Sequence, residues 1–196
     1  VLVGGLSTGA LLSLKLAADR PNDVQGTLLL APTLWINGWN IPWYAKLFNL
    51  IRNRTLASFI KFPDLHPHGI KCSRVRDFFA KALMSGDTQN IGLASTPGTL
   101  VLEHRRLVEA VRPLLKKITQ PTLIVHSRED DLAALNNAMY LQTNLGGMVD
   151  TAVLDDCYHN VTLDRQRHVV VERATSFAAR IVKELTSRMP APAQLH

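Results

Sequence analysis

One pentapeptide, Gly5-Leu6-Ser7-Thr8-Gly9, constrains the fold of this chain more than any other segment. It reads G-x-S-x-G, follows the apolar residues 1–3 and opens an apolar, helix-like stretch over residues 10–18. A tight turn between a strand and a helix strains the serine backbone and exposes its hydroxyl, and small residues two positions away let the two elements approach. The pattern predicts a strand–turn–helix unit with Ser7 as a candidate nucleophile.

Thr8 is the candidate donor to a developing oxyanion. Its N–H lies at the N-terminus of the predicted helix, where the helix dipole favours negative charge. The pentapeptide alone is a weak signal, because glycine and serine are common. A glycine-rich turn with a passive serine is therefore the alternative interpretation.

Two later strand patterns each lead into a polar loop. Residues 121–126 form a short β-rich apolar run that is followed by Asp130, and residues 151–154 form another that is followed by His159. Parallel sheets place functional groups just beyond the carboxyl ends of their strands. The chain order Ser7, Asp130, His159 therefore predicts a catalytic triad.

These three residue types suit nucleophilic catalysis. A histidine titrates near neutrality, so it can take the serine proton and return it, and a carboxylate fixes its tautomer. Asp131 is the runner-up for the carboxylate. As alternatives, Asp130 or Asp131 could cap a helix predicted over residues 133–145, and His159 could be an ordinary loop histidine. The joint order and placement favour the triad.

The chain resembles the α/β-hydrolases of the bacterial carboxylesterase and monoacylglycerol-lipase type, among the serine aminopeptidase S33-type hydrolases. The resemblance spans residues 1–185. It rests on the pentapeptide, on residues 121–130, which are similar to the family's P-T-L-I-x-H-G-x-x-D segment, and on Tyr158-His159 before the last helix. Ser127 stands at a position that is usually glycine. The resemblance implies Asp130 as the triad acid.

The fold that the resemblance implies is the C-terminal part of an α/β-hydrolase: a parallel sheet with flanking helices and an inserted helical cap, without a cofactor. In the family, earlier strands, helices and a His-Gly-type loop with a second oxyanion donor precede the serine turn. We therefore expect the C-terminal part of a larger enzyme, or a truncated gene product, with impaired activity. An unpaired sheet edge would then allow self-association.

Four segments follow from this interpretation. Residues 1–31 hold the serine turn, its helix and the next strand of the hydrolase core. Residues 32–98 interrupt the alternation of strand and helix and form the expected cap. Residues 99–186 complete the core, and residues 187–196 are expected to be a frayed tail.

The expected cap contains all three tryptophans of the chain, Trp35, Trp39 and Trp43. Helical spacing of apolar residues predicts helices over residues 42–54 and 75–84. A cap of this kind excludes water and forms an acyl pocket, so the tryptophans are predicted to bind substrate. The alternative is that they only pack within the cap.

Composition narrows the function further. The net charge is +6, but no nucleic-acid-binding motif accompanies it, so nucleic acid is not an expected partner. Cys72 and Cys157 give no disulfide framework and fit a cytoplasmic location. His66 and His68 have no third ligand at useful spacing, so no metal is expected.

The sequence therefore predicts a serine esterase or lipase that cleaves carboxylic esters through an acyl-enzyme. The expected substrate is a small-molecule acyl ester or a lipid. One alternative is a non-catalytic hydrolase-like binding module or a remnant. Another keeps the triad but cleaves an amide, a peptide or a C–C bond, because fold and triad serve all of these reactions.

Overall fold

A four-stranded parallel sheet forms the centre of the structure. The computed structural model describes residues 1–63, 66–84 and 95–188. In spatial order the strands of this sheet are β1 (Leu2–Leu6), β2 (Gly26–Leu30), β5 (Thr122–Ser127) and β6 (Val149–Leu154). Within the described residues, β1 pairs with β2 alone and so forms one edge of the sheet.

Helices cover both faces of the sheet, as the sequence predicted. They are α1 (Thr8–Asp19), α4 (Gly98–Val111), α5 (Asn136–Asn144) and α6 (Arg167–Arg188). Successive side chains of a strand point to opposite faces. In β5 this sends Ile124 into the core beneath α1, α4 and α5, whereas Leu123 and Val125 pack with Phe177 of α6. All six residues of β5 are buried, as expected for a strand between two helical layers.

Two helices of the core have boundaries that differ from the sequence prediction. Helix α5 begins at Asn136, not at residue 133, because residues 130–133 form a turn in which Asp130 accepts hydrogen bonds from the N–H groups of Leu132 and Ala133. Helix α6 continues to Arg188, so residues 187 and 188 are helical. The rest of the expected tail, residues 189–196, lies outside the described residues.

The segment expected as a cap is built from short elements. It contains a 3₁₀ segment (Trp43–Leu50), α2 (Arg54–Ser58), the strand β3 (Lys61–Pro63), α3 (Ser73–Met84) and the strand β4 (Ser95–Pro97), which pairs antiparallel with β3. Residues 64, 65 and 85–94 of this segment lie outside the described residues.

The helix predicted over residues 42–54 is wrong in its type and extent. The observed 3₁₀ segment ends at Leu50, and a separate helix starts at Arg54. The side chain of Asn53 causes this restart, because it accepts hydrogen bonds from the N–H groups of Thr55 and Leu56 and caps α2. The helix predicted over residues 75–84 is confirmed, and it begins slightly earlier, at Ser73.

No helix among the described residues has both the length and the apolarity that a membrane crossing requires. The two cysteines, Cys72 and Cys157, are free thiols.

Candidate active site

Ser7 lies at the sharp turn between β1 and α1. Its backbone has φ 56° and ψ −117°, in a region that residues with a side chain rarely adopt. A Cβ atom on Gly5 would lie 2.4 Å from the backbone carbon of Gly9, so only glycine fits at position 5. A Cβ atom on Gly9 would meet no atom within 4 Å, so the predicted need for a small residue holds at one flank only.

His159 and Asp130 form a buried pair at the ends of adjacent strands. Nδ1 of His159 lies 2.8 Å from Oδ2 and 3.0 Å from Oδ1 of Asp130. Both residues are almost fully buried, and the carboxylate also accepts the two turn N–H groups named above. Asp130 therefore caps a turn and holds the imidazole at the same time.

The second imidazole nitrogen of His159 is unengaged. Nε2 is buried and has no hydrogen-bond partner among the described residues. Because the carboxylate of Asp130 can only accept, Nδ1 carries the proton in this pair, and in a neutral imidazole Nε2 then has a free lone pair. In this tautomer His159 can take a proton from a neighbouring hydroxyl.

Asp131 contacts the backbone of His159 and not its ring. Its Oδ1 accepts from the N–H of His159 at 3.3 Å, and its Oδ2 accepts from the N–H of Gly69 at 3.1 Å. The pKa of the Asp131 carboxyl is raised, mainly because the group is buried. The structure thus places Asp130 against the imidazole and gives Asp131 a role in holding the two loops together.

A second histidine, His126, lies behind Asp130. Its Nε2 is 2.8 Å from the carbonyl of Ala133 and 3.4 Å from Oδ2 of Asp130, and its side chain is fully buried. Burial lowers the pKa of His126, although the charge of Asp130 opposes this shift. Sequence reasoning gave this residue no role, although it stands at the histidine of the family's P-T-L-I-x-H-G-x-x-D segment.

The hydroxyl of Ser7 contacts Thr33 in this structure. The two hydroxyl oxygens are 3.1 Å apart, and Thr33 Oγ1 also donates to the carbonyl of Ala31 at 3.1 Å. Ser7 and His159 line one cavity, but their side chains form no hydrogen bond with each other. The structure therefore brings the serine and the imidazole to one space without coupling them directly.

Thr8 also lines this cavity and contacts a partly buried histidine. Its hydroxyl lies 2.9 Å from Nδ1 of His104 on α4. Burial lowers the pKa of His104, which keeps this imidazole neutral near pH 7. Neither Thr33 nor His104 was singled out from the sequence.

The cavity has a volume of about 1290 Å³ and lies between the core and the cap. Trp35 lines it, packed against Tyr140 with ring centroids 5.0 Å apart. Trp39 and Trp43 are not among its lining residues. Trp39 donates from its indole N–H to the carbonyl of Glu129, and Trp43 is 75% exposed. Of the three predicted substrate-binding tryptophans, the structure brings Trp35 to the cavity.

A buried carboxylate fastens the cap to the loop that carries His159. Asp164 is fully buried and accepts from the N–H groups of Lys71 at 2.7 Å and Cys72 at 2.8 Å. The same carboxylate accepts from the N–H of Tyr158 at 2.8 Å. The segment just before α3 is therefore joined to the residue next to His159.

The described part of the chain supports neither Cys157 as a nucleophile nor a metal centre. Cys157 is fully buried, and burial raises the pKa of its thiol to about 11, so it is not a thiolate near neutrality. Within residues 1–63, 66–84 and 95–188, no group of three His, Cys, Asp or Glu side chains could hold a metal ion.

The parallel sheet, its covering helices and the serine turn define an α/β-hydrolase fold. The profile of the family described as serine aminopeptidase, S33, matches residues 1–166, and the chain belongs to this family. The thermostable monoacylglycerol lipase of Bacillus sp. (strain H-257) is 27% identical over 181 residues, which are 92% of this chain and 63% of the lipase. The chain thus spans less than two thirds of the length of that relative.

Solved structures share the fold. One of two metagenome-derived lipolytic enzymes matches with a TM-score of 0.70 and 22% identity, over 91% of this chain and 64% of that enzyme. The monoacylglycerol lipase of Paleococcus ferrophilus matches with a TM-score of 0.69 and 16% identity, over 93% of this chain and 68% of the lipase. The resemblance stated from the sequence is confirmed.

Proposed function

We propose that this protein is a serine hydrolase that cleaves carboxylic esters through an acyl-enzyme. The observation that carries the proposal is the buried pair of His159 and Asp130, which leaves Nε2 of His159 free beside a cavity that Ser7 also lines. Membership in a hydrolase family and the likeness to lipolytic enzymes support this assignment.

In the proposed reaction, Ser7 Oγ attacks the acyl carbon while Nε2 of His159 takes its proton. The N–H of Thr8 donates to the oxygen on which negative charge develops. The tetrahedral intermediate then collapses, and the departing alcohol takes the proton from His159. Water repeats the sequence on the acyl-enzyme and releases the acid. Asp130 accepts the hydrogen bond from Nδ1 of His159 and so keeps the proton on this nitrogen throughout.

The proposed substrate is an acyl ester or a lipid. Apolar side chains such as Trp35, Ile41, Phe48 and Leu100 line the cavity, and acyl chains fit apolar walls of this kind. The relative named above is a monoacylglycerol lipase. No cofactor is proposed. The cytoplasmic location and the self-association through the edge strand β1 stay predictions.

The amide or peptide alternative rests on one observation, which is that the family is described as serine aminopeptidase. Ester and amide hydrolysis use the same triad, so the pocket decides between them. Comparing the kcat/KM of an acyl ester with that of the matching acyl anilide separates the two. Faster turnover of the anilide would overturn the ester assignment.

The proposal is tested with the protein expressed from its complete reading frame. We expect a fluorophosphonate probe to label Ser7, as located by peptide mass spectrometry, and we expect hydrolysis of p-nitrophenyl esters. Ser7→Ala should abolish both signals, whereas Ser58→Ala on the exposed surface of the cap should change neither. Absence of labelling and of hydrolysis in the folded wild-type protein would leave the non-catalytic alternative in place.

A further inference from the structure

The hydroxyl of the proposed nucleophile contacts the side chain of a residue with no role in the triad. Thr33 follows β2, is 1% exposed and places Oγ1 3.1 Å from Oγ of Ser7. The same oxygen lies 3.1 Å from the carbonyl oxygen of Ala31. Thr33 therefore stands between a hydroxyl and a carbonyl, both within hydrogen-bonding distance.

The proton positions in this chain of oxygens follow from what each group can donate. The carbonyl of Ala31 can only accept, so it is satisfied when Thr33 gives it its single hydroxyl proton. When Thr33 donates to Ala31 in this way, its Oγ1 has only lone pairs to offer, and Ser7 is the donor in the other bond. In this arrangement the proton that catalysis requires His159 to remove points at Thr33.

Nε2 of His159 is the other acceptor available to this proton. It is buried and has no hydrogen-bond partner among the described residues. Because a buried acceptor without a partner is unfavourable, the contact of Ser7 with Thr33 competes with a bond from Ser7 to His159.

We propose that Thr33 is a positioning residue that keeps the Ser7 hydroxyl in a resting orientation, turned away from His159. This inference rests on the proposed function. Attack on a substrate then requires Ser7 to break its bond to Thr33 and rotate its proton to Nε2 of His159. No covalent step is added, because Thr33 only competes with His159 for one proton.

The test compares Thr33→Val, which keeps the shape and loses the hydroxyl, with Thr33→Ser, which keeps the hydroxyl. The second-order rate constant for labelling of Ser7 by a small fluorophosphonate is measured across the titration range of histidine. A neutral hydrogen bond contributes enough to predict an increase of about twofold to tenfold in the plateau rate for Thr33→Val. Thr33→Ser should label at the wild-type rate.

The pH midpoint of the Ser7 labelling profile distinguishes a positioning role of Thr33 from structural damage caused by the substitution. Because His159 remains the base, the midpoint of the labelling profile should not move in Thr33→Val while the plateau rises. A plateau at or below the wild-type value in cooperatively folded Thr33→Val overturns the inference. Thr33→Ala, which also removes the hydroxyl, serves as the second variant and should show the same rise.

Two further outcomes keep the inference and the proposed function apart. If wild-type Ser7 is not labelled at all, the proposed function fails and this inference fails with it. If Ser7 is labelled but Thr33→Val is unchanged, only the inference fails. A crystal structure of the unliganded wild-type protein is independent of any variant: Ser7 Oγ bonded to His159 Nε2 rather than to Thr33 would overturn it.

Discussion

The buried hydroxyl of Ser127 donates a hydrogen bond to the backbone carbonyl of Cys157. The same oxygen accepts from the N–H of Glu129 at 3.2 Å. Ser127 ends β5 and Cys157 lies two residues before His159, so this single side chain joins the loop of the proposed acid to the loop of the proposed base. A glycine, which the family resemblance leads one to expect here, could not form either bond.

Replacing Ser127 should therefore weaken the fold at the site. Ser127→Ala leaves the buried carbonyl of Cys157 without this donor, and we expect a loss of about 1–3 kcal/mol in the free energy of unfolding. Urea unfolding measures the change. The matched control is Ser58→Ala, which removes a hydroxyl bond from an exposed helix and should stay within about 0.5 kcal/mol of wild type. Equal effects of the two variants would contradict the bridging role.

The two neighbouring aspartates should differ sharply in kinetics. Asp130→Asn removes the carboxylate that fixes the tautomer of His159, and serine proteases lose about 10⁴-fold in kcat on the equivalent change. Asp131→Asn changes a side chain that accepts hydrogen bonds from the backbone N–H groups of Gly69 and His159 and not from the ring, so we expect a less than tenfold loss. Ester hydrolysis by the two variants, with circular dichroism to verify folding, makes the comparison. The reverse ranking would transfer the acid role to Asp131.

Acid should destabilise the protein through two histidines, the buried His126 and the partly buried His104. Burial lowers the pKa of His126 and of His104, so below about pH 6.5 the unfolded chain binds protons that the folded chain does not. The contribution of these two histidines to the free energy of unfolding is thus complete above that pH. It falls as the pH drops toward their lowered pKa values in the folded protein. His126→Gln removes one of the titrating groups.

We expect the melting temperature of His126→Gln to decline less steeply with falling pH than that of wild type. The two proteins are compared by the slope of the melting temperature against pH and not by the melting temperature itself, because the variant also loses the contact with Ala133. Parallel slopes for the two proteins would show that His126 does not contribute to acid sensitivity.

Replacing Trp35 should affect substrate binding more than replacing Trp43. Removing a large apolar side chain from a cavity wall costs about 1.5–3 kcal/mol of apolar contact, so Trp35→Ala should raise KM for a long-chain ester by roughly tenfold or more. Trp43→Ala, which changes a largely exposed side chain, should leave KM within about twofold of wild type. A large KM effect of Trp43→Ala alone would contradict the placement of these residues.

That the loop of Asp130 and Asp131 meets the loop of His159 could be predicted, because each loop follows a strand that the sequence indicates. The two strands, β5 and β6, are neighbours with Ser127 opposite Leu154, so the two loops start side by side. Strand patterns and polar loops are visible in a sequence. Strand patterns do not indicate which aspartate faces the ring; Asp130 is implied by the resemblance, because the family's P-T-L-I-x-H-G-x-x-D segment ends at this residue.

The residues that surround Ser7 and Thr8 could not be found in the same way. Thr33 and His104 reach them from distant parts of the chain, and neither lies in a motif. Their contacts depend on how the loop after β2 and helix α4 pack, which local patterns do not encode. The break in the predicted helix at Asn53 differs, because an asparagine followed by a helical run is a local capping signal.

The carboxylate of Asp164 gives the cap a mechanical connection to the proposed base. It accepts hydrogen bonds from the backbone N–H groups of Lys71 and Cys72 in the cap and from that of Tyr158, which is next to His159 in the chain. We therefore expect a substitution near residue 71 that displaces this stretch of the cap to displace the imidazole as well, and to slow proton transfer although Lys71 is not among the residues that line the cavity.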